Sequence, residues 1–369
     1  MAGLYIHIPY CHSKCAYCDF YSTPNVKSME QYVDALKKEI ELRISELNEP
    51  IKTVYIGGGT PSLLPISLLR SIVVEVSRYI DIDGLEEFTI EANPEDITHE
   101  WIGAIMQMGV NRVSMGIQSF NDAELNEINR RHTAQMALDA VNMLRESGIN
   151  QISGDLIYGL PGQDIDSWKY SLDLLLSLQL PHFSAYLLSY EQGTKLYARL
   201  MAGKVEEASE ELVNEMYKYL ITRAHEEGYV HYEISNFSKT NCEAIHNTNY
   251  WRDLPYLGIG VSAHSFDGQC RRVNPTNIKN YVSQLLAGNC VFEIEEENAQ
   301  NRHNDYIIVA LRTAKGIDLE HYNRTYNYDI LDIAKPYIEE GKMVLTNTHL
   351  AIAEDYMLIS DRIMLDFIV

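Results

Sequence analysis

LYIHIPYCHSKCAYCDF, residues 4–20, joins two features that decide how the rest of the chain is read. Leu4–Ile8 is a short apolar run suited to a buried strand. Directly after it, Cys11, Cys15 and Cys18 stand in a Cx3Cx2C spacing within a loop. Strands that deliver chemistry-bearing residues at their C-terminal ends are the habit of parallel α/β barrels, and the following sequence keeps that rhythm. Met29, Tyr32, Val33, Leu36, Ile40, Ile44 and Leu47 recur at helical spacing. Ser28 and Gln31 in front of them have the separation of a capping box. Thr53–Ile56 reads as the second strand, closed by Gly57-Gly58-Gly59, and Ser67–Ile80 as the next helix.

Strands at Glu87–Ala92, Arg112–Met115, Ile152–Ile157 and Phe183–Leu187 then alternate with helices near Thr98–Met108, Asp122–Ile128, Ala134–Ser147 and Ile165–Leu178. Repeated βα units predict an α/β fold with a parallel sheet and right-handed crossovers. Six of them predict a partial (β/α)6 barrel rather than a closed eight-stranded one. After about residue 200 the rhythm changes. A helix near Ser209–Glu227 gives way to loops, then to helices around Asn304–Thr313 and Tyr328–Glu340, with Met343–Thr346 and Leu350–Ile352 as a hairpin. The expected organisation is a barrel over 1–235, a linking segment over 236–300 and a smaller mixed C-terminal domain over 301–369.

Composition narrows the function classes. In 369 residues, 52 acidic groups outweigh 30 basic ones, for a net charge of −22. Nucleic-acid binding depends on neutralising phosphates with Lys and Arg, so no nucleic-acid partner is expected. Apolar residues make up 46%, enough for a sizeable core, yet no run reaches the ~18 residues of a membrane span. With Met1 running almost directly into LYIHI, no signal peptide is read, and the expected location is cytoplasmic. Six cysteines in such a chain do not imply a disulfide framework; Cys242, Cys270 and Cys290 read as buried or incidental thiols.

The clustered three are different. Three thiolates can bind three irons of a [4Fe–4S] cubane and leave the fourth without a protein ligand, whereas electron-transfer clusters normally use four cysteines. An open iron can chelate the amino and carboxylate groups of S-adenosylmethionine, and electron transfer into the sulfonium then releases a 5′-deoxyadenosyl radical. The competing reading is structural zinc, with His12 or a distant Cys as fourth ligand. Other strand ends bear on the choice. Gly57-Gly58-Gly59-Thr60-Pro61 follows the second strand, where missing side chains let a ligand approach the backbone. Glu91 ends the third, Gln118 follows the fourth, Arg130 lies a turn or more into the helical segment beyond, and Asp155 lies within the fifth. All should converge on one rim with the cysteine loop. GGGTP lacks the Lys-Ser/Thr ending of a phosphate-binding P-loop.

These residues resemble the radical S-adenosylmethionine superfamily. More narrowly, YIHIPYCHSKCAYCDF, GGGTPS, IEANPE, SMGIQSFN, DLIYGLPGQ and GIGVSAHS are similar to the branch that holds oxygen-independent coproporphyrinogen III oxidase and the HemW-type haem chaperones. LRTAKGID, from Leu311, is similar to that branch's small extra domain. The resemblance implies a radical-SAM partial barrel with Cys11, Cys15 and Cys18 as cluster ligands. It implies that Tyr5, Tyr17, Gly58, Gly59, Thr60, Glu91, Gln118, Arg130 and Asp155 line S-adenosylmethionine.

Three departures point away from the oxidase. Phe20 stands where the oxidase carries a further Cys; the oxidase has an N-terminal extension before its first strand; and HNTNYW, His246–Trp251, resembles the HNxxYW motif of the chaperone branch. His246 suits haem iron, and Tyr250 and Trp251 offer apolar faces to a porphyrin. Without the resemblance the same residues read as a satisfied histidine beside two core aromatics. His264 is a second candidate ligand. The implied function is a haem chaperone with haem as cargo and haemoproteins as recipients, membrane-associated respiratory enzymes among them, and with peripheral membrane association as a corollary. The alternative is the oxidase itself, which decarboxylates coproporphyrinogen III by a radical route. Radical modification of RNA is disfavoured by charge.

Overall fold

The computed structural model describes residues 1–295, 298–326 and 328–369. Residues 296–297, in the expected linking segment, and residue 327, in the expected C-terminal domain, lie outside the described residues. Six parallel strands follow one another in chain order: β1 (Ala2–Ile8), β2 (Ile51–Gly58), β3 (Glu87–Ala92), β4 (Arg112–Gln118), β5 (Gln151–Tyr158) and β6 (His182–Leu187). Their crossovers carry α1 (Met29–Arg43), α2 (Ile66–Val76), α3 (His99–Gln107), α4 (Asp122–Glu127) with α5 (Ala134–Glu146), and α6 (Ile165–Ser177). The expected partial barrel is present, with elements within a few residues of their sequence-read limits.

Alternation along each strand sorts its side chains. On β4, Val113, Met115 and Ile117 are buried in the main core under the helices, each contributing about 1.5–3 kcal/mol by leaving water. Arg112, Ser114, Gly116 and Gln118 fall on the opposite, inward face. Thr98, Thr133 and Asp164 cap α3, α5 and α6, each side chain accepting from a backbone N–H of the first turn. The capping box read at Ser28 does not form. Ser28 makes no side-chain cap bond, because its Oγ pairs with the Tyr10 hydroxyl at 3.0 Å at the base of the cysteine loop.

Beyond β6 come α7 (Lys195–Met201), α8 (Glu210–Glu226) and the antiparallel pair β7 (Val230–Glu233) and β8 (Asn236–Ser238), with β8 bonded to β6. After α9 (Ile245–Trp251), β9 (Tyr256–Ile259), β10 (His264–Phe266), β11 (Arg271–Val273), α10 (Ile278–Leu286) and β12 (Glu293–Ile294) extend the other edge, with β9 parallel to β1. The result is a 12-stranded sheet. The stretch 236–300, expected to link, therefore supplies strands to the barrel sheet on both edges. A buried ion pair seals one seam. Glu39 on α1 accepts from Arg43 at 2.7 Å, Asn274 at 2.7 Å and the Gly260 N–H at 2.8 Å, tying GIGVSAHS to the first crossover. The C-terminal part holds α11 (Ala299–Leu311), β13 (Ile317–Asp318), α12 (Leu319–Thr325), α13 (Ile330–Glu339), β14 (Met343–Leu345), β15 (His349–Ile352) and α14 (Ser360–Met364), with an antiparallel sheet in the order β13-β15-β14. The expected hairpin is β14–β15.

Candidate functional site

The cysteine loop leaves β1 at Ile8 and is pinned at several points. Thr23 N–H donates to Pro9 O at 2.7 Å and Cys11 N–H to Thr23 O at 3.1 Å. Ala16 N–H donates to Ile128 O at 3.0 Å, and Asn129 Nδ2 to Lys14 O at 3.1 Å. At its start, Gly59 N–H donates to Ile8 O at 2.7 Å. The three thiols consequently face a cavity of about 420 Å³ over the C-terminal ends of the strands.

The structure brings eleven of the twelve expected cluster and cofactor residues to that cavity: Cys11, Cys15, Cys18, Tyr17, Gly58, Gly59, Thr60, Glu91, Gln118, Arg130 and Asp155. Tyr5 is not on its wall. It lies below, with its hydroxyl 2.9 Å from His7 Nδ1 and its ring 6.1 Å from that of Tyr55. The glycines also differ from expectation. A Cβ on Gly59 would stand 2.7 Å from Tyr10 O and 2.9 Å from Ile8 O, and one on Gly58 2.5 Å from the His7 ring. Their missing side chains admit the chain's own cysteine loop and His7 as well as bordering the cavity. Arg130 is in the turn between α4 and α5 rather than on a helix.

The electrostatics follow from burial. Arg130 Nη2 donates to Asn93 Oδ1 at 2.8 Å and to Gly116 O at 2.6 Å, while Nη1 approaches Cys15 Sγ at 3.5 Å. Burial opposes its charge, yet Tyr17 and Cys15 beside it hold it protonated. Its Nε is buried without a partner. Glu91 accepts from the Tyr55 hydroxyl at 2.7 Å and the Gly58 N–H at 2.9 Å. Burial still pushes its pKa up to about 7. Asp155 is raised too, by burial, although Ser184 and Ser114 donate to it at 2.9 and 3.1 Å. The Cys18 thiol is pushed up to about 11 by burial. Gln118 adopts the left-handed region at φ 67, a conformation that costs a non-glycine residue and clusters at functional sites.

Cys11, Cys15 and Cys18 share this wall with His12, and three thiols suit the three protein-ligated irons of a cubane. Among the described residues, no three of His, Cys, Asp or Glu are arranged to hold a single metal ion. Sequence reading missed Tyr55, Asn93 and Tyr186 on the same wall. A signal existed for Asn93, which lies two residues after Glu91 in IEANPE and joins Arg130 to Thr60, its Nδ2 donating to Thr60 Oγ1 at 3.3 Å.

HNTNYW sits elsewhere. It forms α9 at the opposite end of the barrel, where the Glu87 carboxylate, at the start of β3, accepts the N–H groups of Ile245 and His246 at 2.8 and 3.0 Å. His246 is buried, with Nδ1 2.8 Å from Thr53 Oγ1, Nε2 2.9 Å from the Tyr250 hydroxyl, and its ring stacked on Tyr55 at 5.3 Å. Burial lowers its pKa to about 3. The Tyr250 ring meets Tyr256 edge-on at 4.6 Å, and the Arg312 guanidinium lies 6.0 Å over Trp251. In this conformation both nitrogens of His246 are hydrogen-bonded and the two aromatics are part-buried against their neighbours, so a haem role for these three residues is a matter for proposal. His264 is exposed on β10.

Comparison with known proteins adds the following. The family model of the radical SAM superfamily matches residues 5–175. The heme chaperone HemW of Bacillus subtilis (strain 168) is 33% identical over 350 residues, covering 92% of each chain. The heme chaperone HemW of Lactococcus lactis is 35% identical over 325 residues, covering 87% of this chain and 84% of the relative. The structure of coproporphyrinogen III oxidase (HemN) from Escherichia coli superposes with a TM-score of 0.85 over 99% of this chain and 89% of the other, at 22% identity; that likeness speaks to the fold.

Proposed function

This chain belongs to the HemW haem chaperone family of the radical SAM superfamily, and from that premise we propose that it binds haem and passes it to recipient haemoproteins, with a S-adenosylmethionine-binding [4Fe–4S] cluster as resident cofactor. The observation that carries the cofactor part is the convergence of Cys11, Cys15 and Cys18 on one cavity with Arg130, Glu91 and Asp155. When bound, the cluster offers an open iron to the amino and carboxylate groups of S-adenosylmethionine. In this reading Glu91 accepts from ribose hydroxyls, and Arg130 and Asp155 face opposite charges of the zwitterion. Gln118 and Thr60 border the same space.

Phe20, 65% exposed at the cavity mouth, stands where the oxidase carries a cysteine, which favours carriage over decarboxylation. The recipients, membrane-associated respiratory enzymes among them, and a cytoplasmic location with peripheral membrane contact belong to the same proposal. No helix among the described residues is long and apolar enough to cross a membrane. The test is anaerobic reconstitution, followed by haem titration and by incubation with coproporphyrinogen III, S-adenosylmethionine and a low-potential reductant. Saturable haem binding without porphyrinogen conversion supports the chaperone. Steady decarboxylation makes the protein an oxidase.

A further inference from the structure

Helix α9 is wired to the cavity from beneath by two routes. In the first, Glu91 on the cavity wall accepts from the Tyr55 hydroxyl at 2.7 Å, and the Tyr55 ring lies on His246 of α9 at 5.3 Å and 27°. In the second, Asp155 accepts from Ser153 Oγ at 3.3 Å. Ser153 in turn meets His182 Nδ1 at 2.7 Å, and His182 Nε2 meets the Tyr232 hydroxyl at 2.8 Å. That hydroxyl accepts the Ala244 N–H, which opens α9, at 3.4 Å. Glu91 and Asp155, two of the carboxyls on the cavity wall, therefore both lead to the same seven-residue helix at the far end of the barrel.

The helix is also an imperfect fit where it sits. Thr248 Oγ1, both polar atoms of the Asn249 amide and Trp251 Nε1 are buried with no hydrogen-bond partner. Buried polar atoms left unmade cost about 1–3 kcal/mol each and mark strain or a missing partner. Four such side-chain atoms on two turns of helix leave the seating of α9 to its remaining contacts with its neighbours. Those neighbours are the Tyr55 ring above and the C-terminal part below, where Arg302 donates to Asp253 at 2.8 Å and Arg312 covers Trp251.

We propose that His246 is a positioning residue for the cofactor cavity: its ring, held under Tyr55 by the docked α9, sets the Tyr55 hydroxyl on Glu91, so that ligand binding in the cavity and the docked state of α9 stabilise one another. Linkage is reciprocal. A ligand that needs α9 to leave its seat, as haem ligated by His246 does, must weaken S-adenosylmethionine binding by the factor by which S-adenosylmethionine weakens its own. That last consequence rests on the chaperone reading; the link between helix and cavity does not.

The test uses the cluster-reconstituted full chain, with S-adenosylmethionine as probe and two readouts: equilibrium affinity, and amide hydrogen exchange over residues 245–251. In the unaltered protein, saturating S-adenosylmethionine slows exchange across that helix. Tyr55→Phe and His246→Ala weaken affinity about tenfold, within the usual span of such couplings. His246→Phe, which keeps a flat ring beneath Tyr55, restores most of the loss, whereas His246→Leu, which fills the space without a ring, does not. Unchanged affinity in a folded His246→Ala, or exchange over 245–251 indifferent to S-adenosylmethionine, overturns the proposal. A parallel haem titration separates the two readings: if haem fails to bind while the exchange and affinity effects persist, the chaperone reading falls and the linkage stands.

Discussion

Replacing Gly59 by Ala tests whether the triple glycine exists for the cysteine loop. The backbone of Gly59 does not occupy the left-handed region, so an alanine there carries no conformational penalty and the outcome is decided by space. The new Cβ would lie 2.7 Å from Tyr10 O and 2.9 Å from Ile8 O, both backbone atoms that cannot swing aside. Ordinary contact begins near 3.4 Å, so the start of the cysteine loop must retreat by roughly 0.5–0.7 Å. That retreat stretches the Gly59 N–H bond to Ile8 O from 2.7 Å. Overpacking costs about 1–3 kcal/mol, and a weakened hydrogen bond about 0.5–1.5 kcal/mol. Metal–ligand distances tolerate only about ±0.2 Å, so the larger effect falls on the cluster. Anaerobic reconstitution followed by iron and sulfide counting, beside a urea titration, reads both. The expected result is a stability loss of about 2–3 kcal/mol with cluster content well below that of the unaltered chain. Full cluster content at unaltered stability would refute the claim that Gly59 seats the loop.

Three further outcomes follow from the same geometry. Glu39→Gln leaves buried Arg43 without its nearest counter-charge and should cost about 3–5 kcal/mol in urea unfolding; a loss below about 1 kcal/mol would mean that Glu46 alone suffices. Arg130→Lys has one side-chain nitrogen and cannot hold Asn93 and Gly116 as Nη2 does while reaching toward Cys15 as Nη1 does, and is expected to retain the cluster while losing S-adenosylmethionine affinity about tenfold or more by equilibrium titration; equal affinity would remove Arg130 from the ligand wall. Glu91 carries a folded pKa of about 7 against an ordinary 4.5, so the folded chain holds the extra proton between those values. Its contribution to stability is full below about pH 4.5 and is lost as pH rises through about 7. Glu91→Gln should therefore flatten the stability difference between pH 5 and pH 8 by on the order of 1–3 kcal/mol, a comparison in which the constant loss of the Gly58 bond cancels. An unchanged slope would show that Glu91 is not the titrating group.

The barrel was legible because each strand is apolar on the face that meets helices and ends at punctuation. Val113, Met115 and Ile117 announce β4, and Gly57–Gly59 close β2 where the chain must turn. The cavity was legible because strand ends in such a barrel share a rim, so residues far apart in sequence need only be near the right end of their strands. Tyr5 failed that test for a simple reason. It lies three residues before the end of β1, one layer below the rim, and sequence position alone does not give depth. Strands β9, β10 and β11 were not legible because they are three or four residues long, too short to show a period, and take their place only through pairing with β1 and one another. HNTNYW was legible as a motif and not as a location. Its aromatics would suit a porphyrin or a core equally well, and only Glu87 receiving the two first N–H groups fixes it as the barrel floor.

The charges of the cavity bear on what it is built to hold. Glu91 and Asp155 both resist ionisation because burial withdraws solvent from them, and the thiols of Cys11 and Cys18 resist for the same reason. On the same wall Arg130 is already engaged by Asn93 and Gly116. Glu91 and Asp155 therefore hold their protons to higher pH than ordinary carboxyls do. A ligand that brings a fixed positive charge reverses the balance, since an opposite charge within about 4–6 Å favours the ionised carboxylate. This part of the wall therefore suits a ligand that brings a positive charge to Glu91 and Asp155 and a carboxylate to Arg130. A sulfonium amino acid has both, which is an argument for S-adenosylmethionine that does not depend on the cysteine spacing.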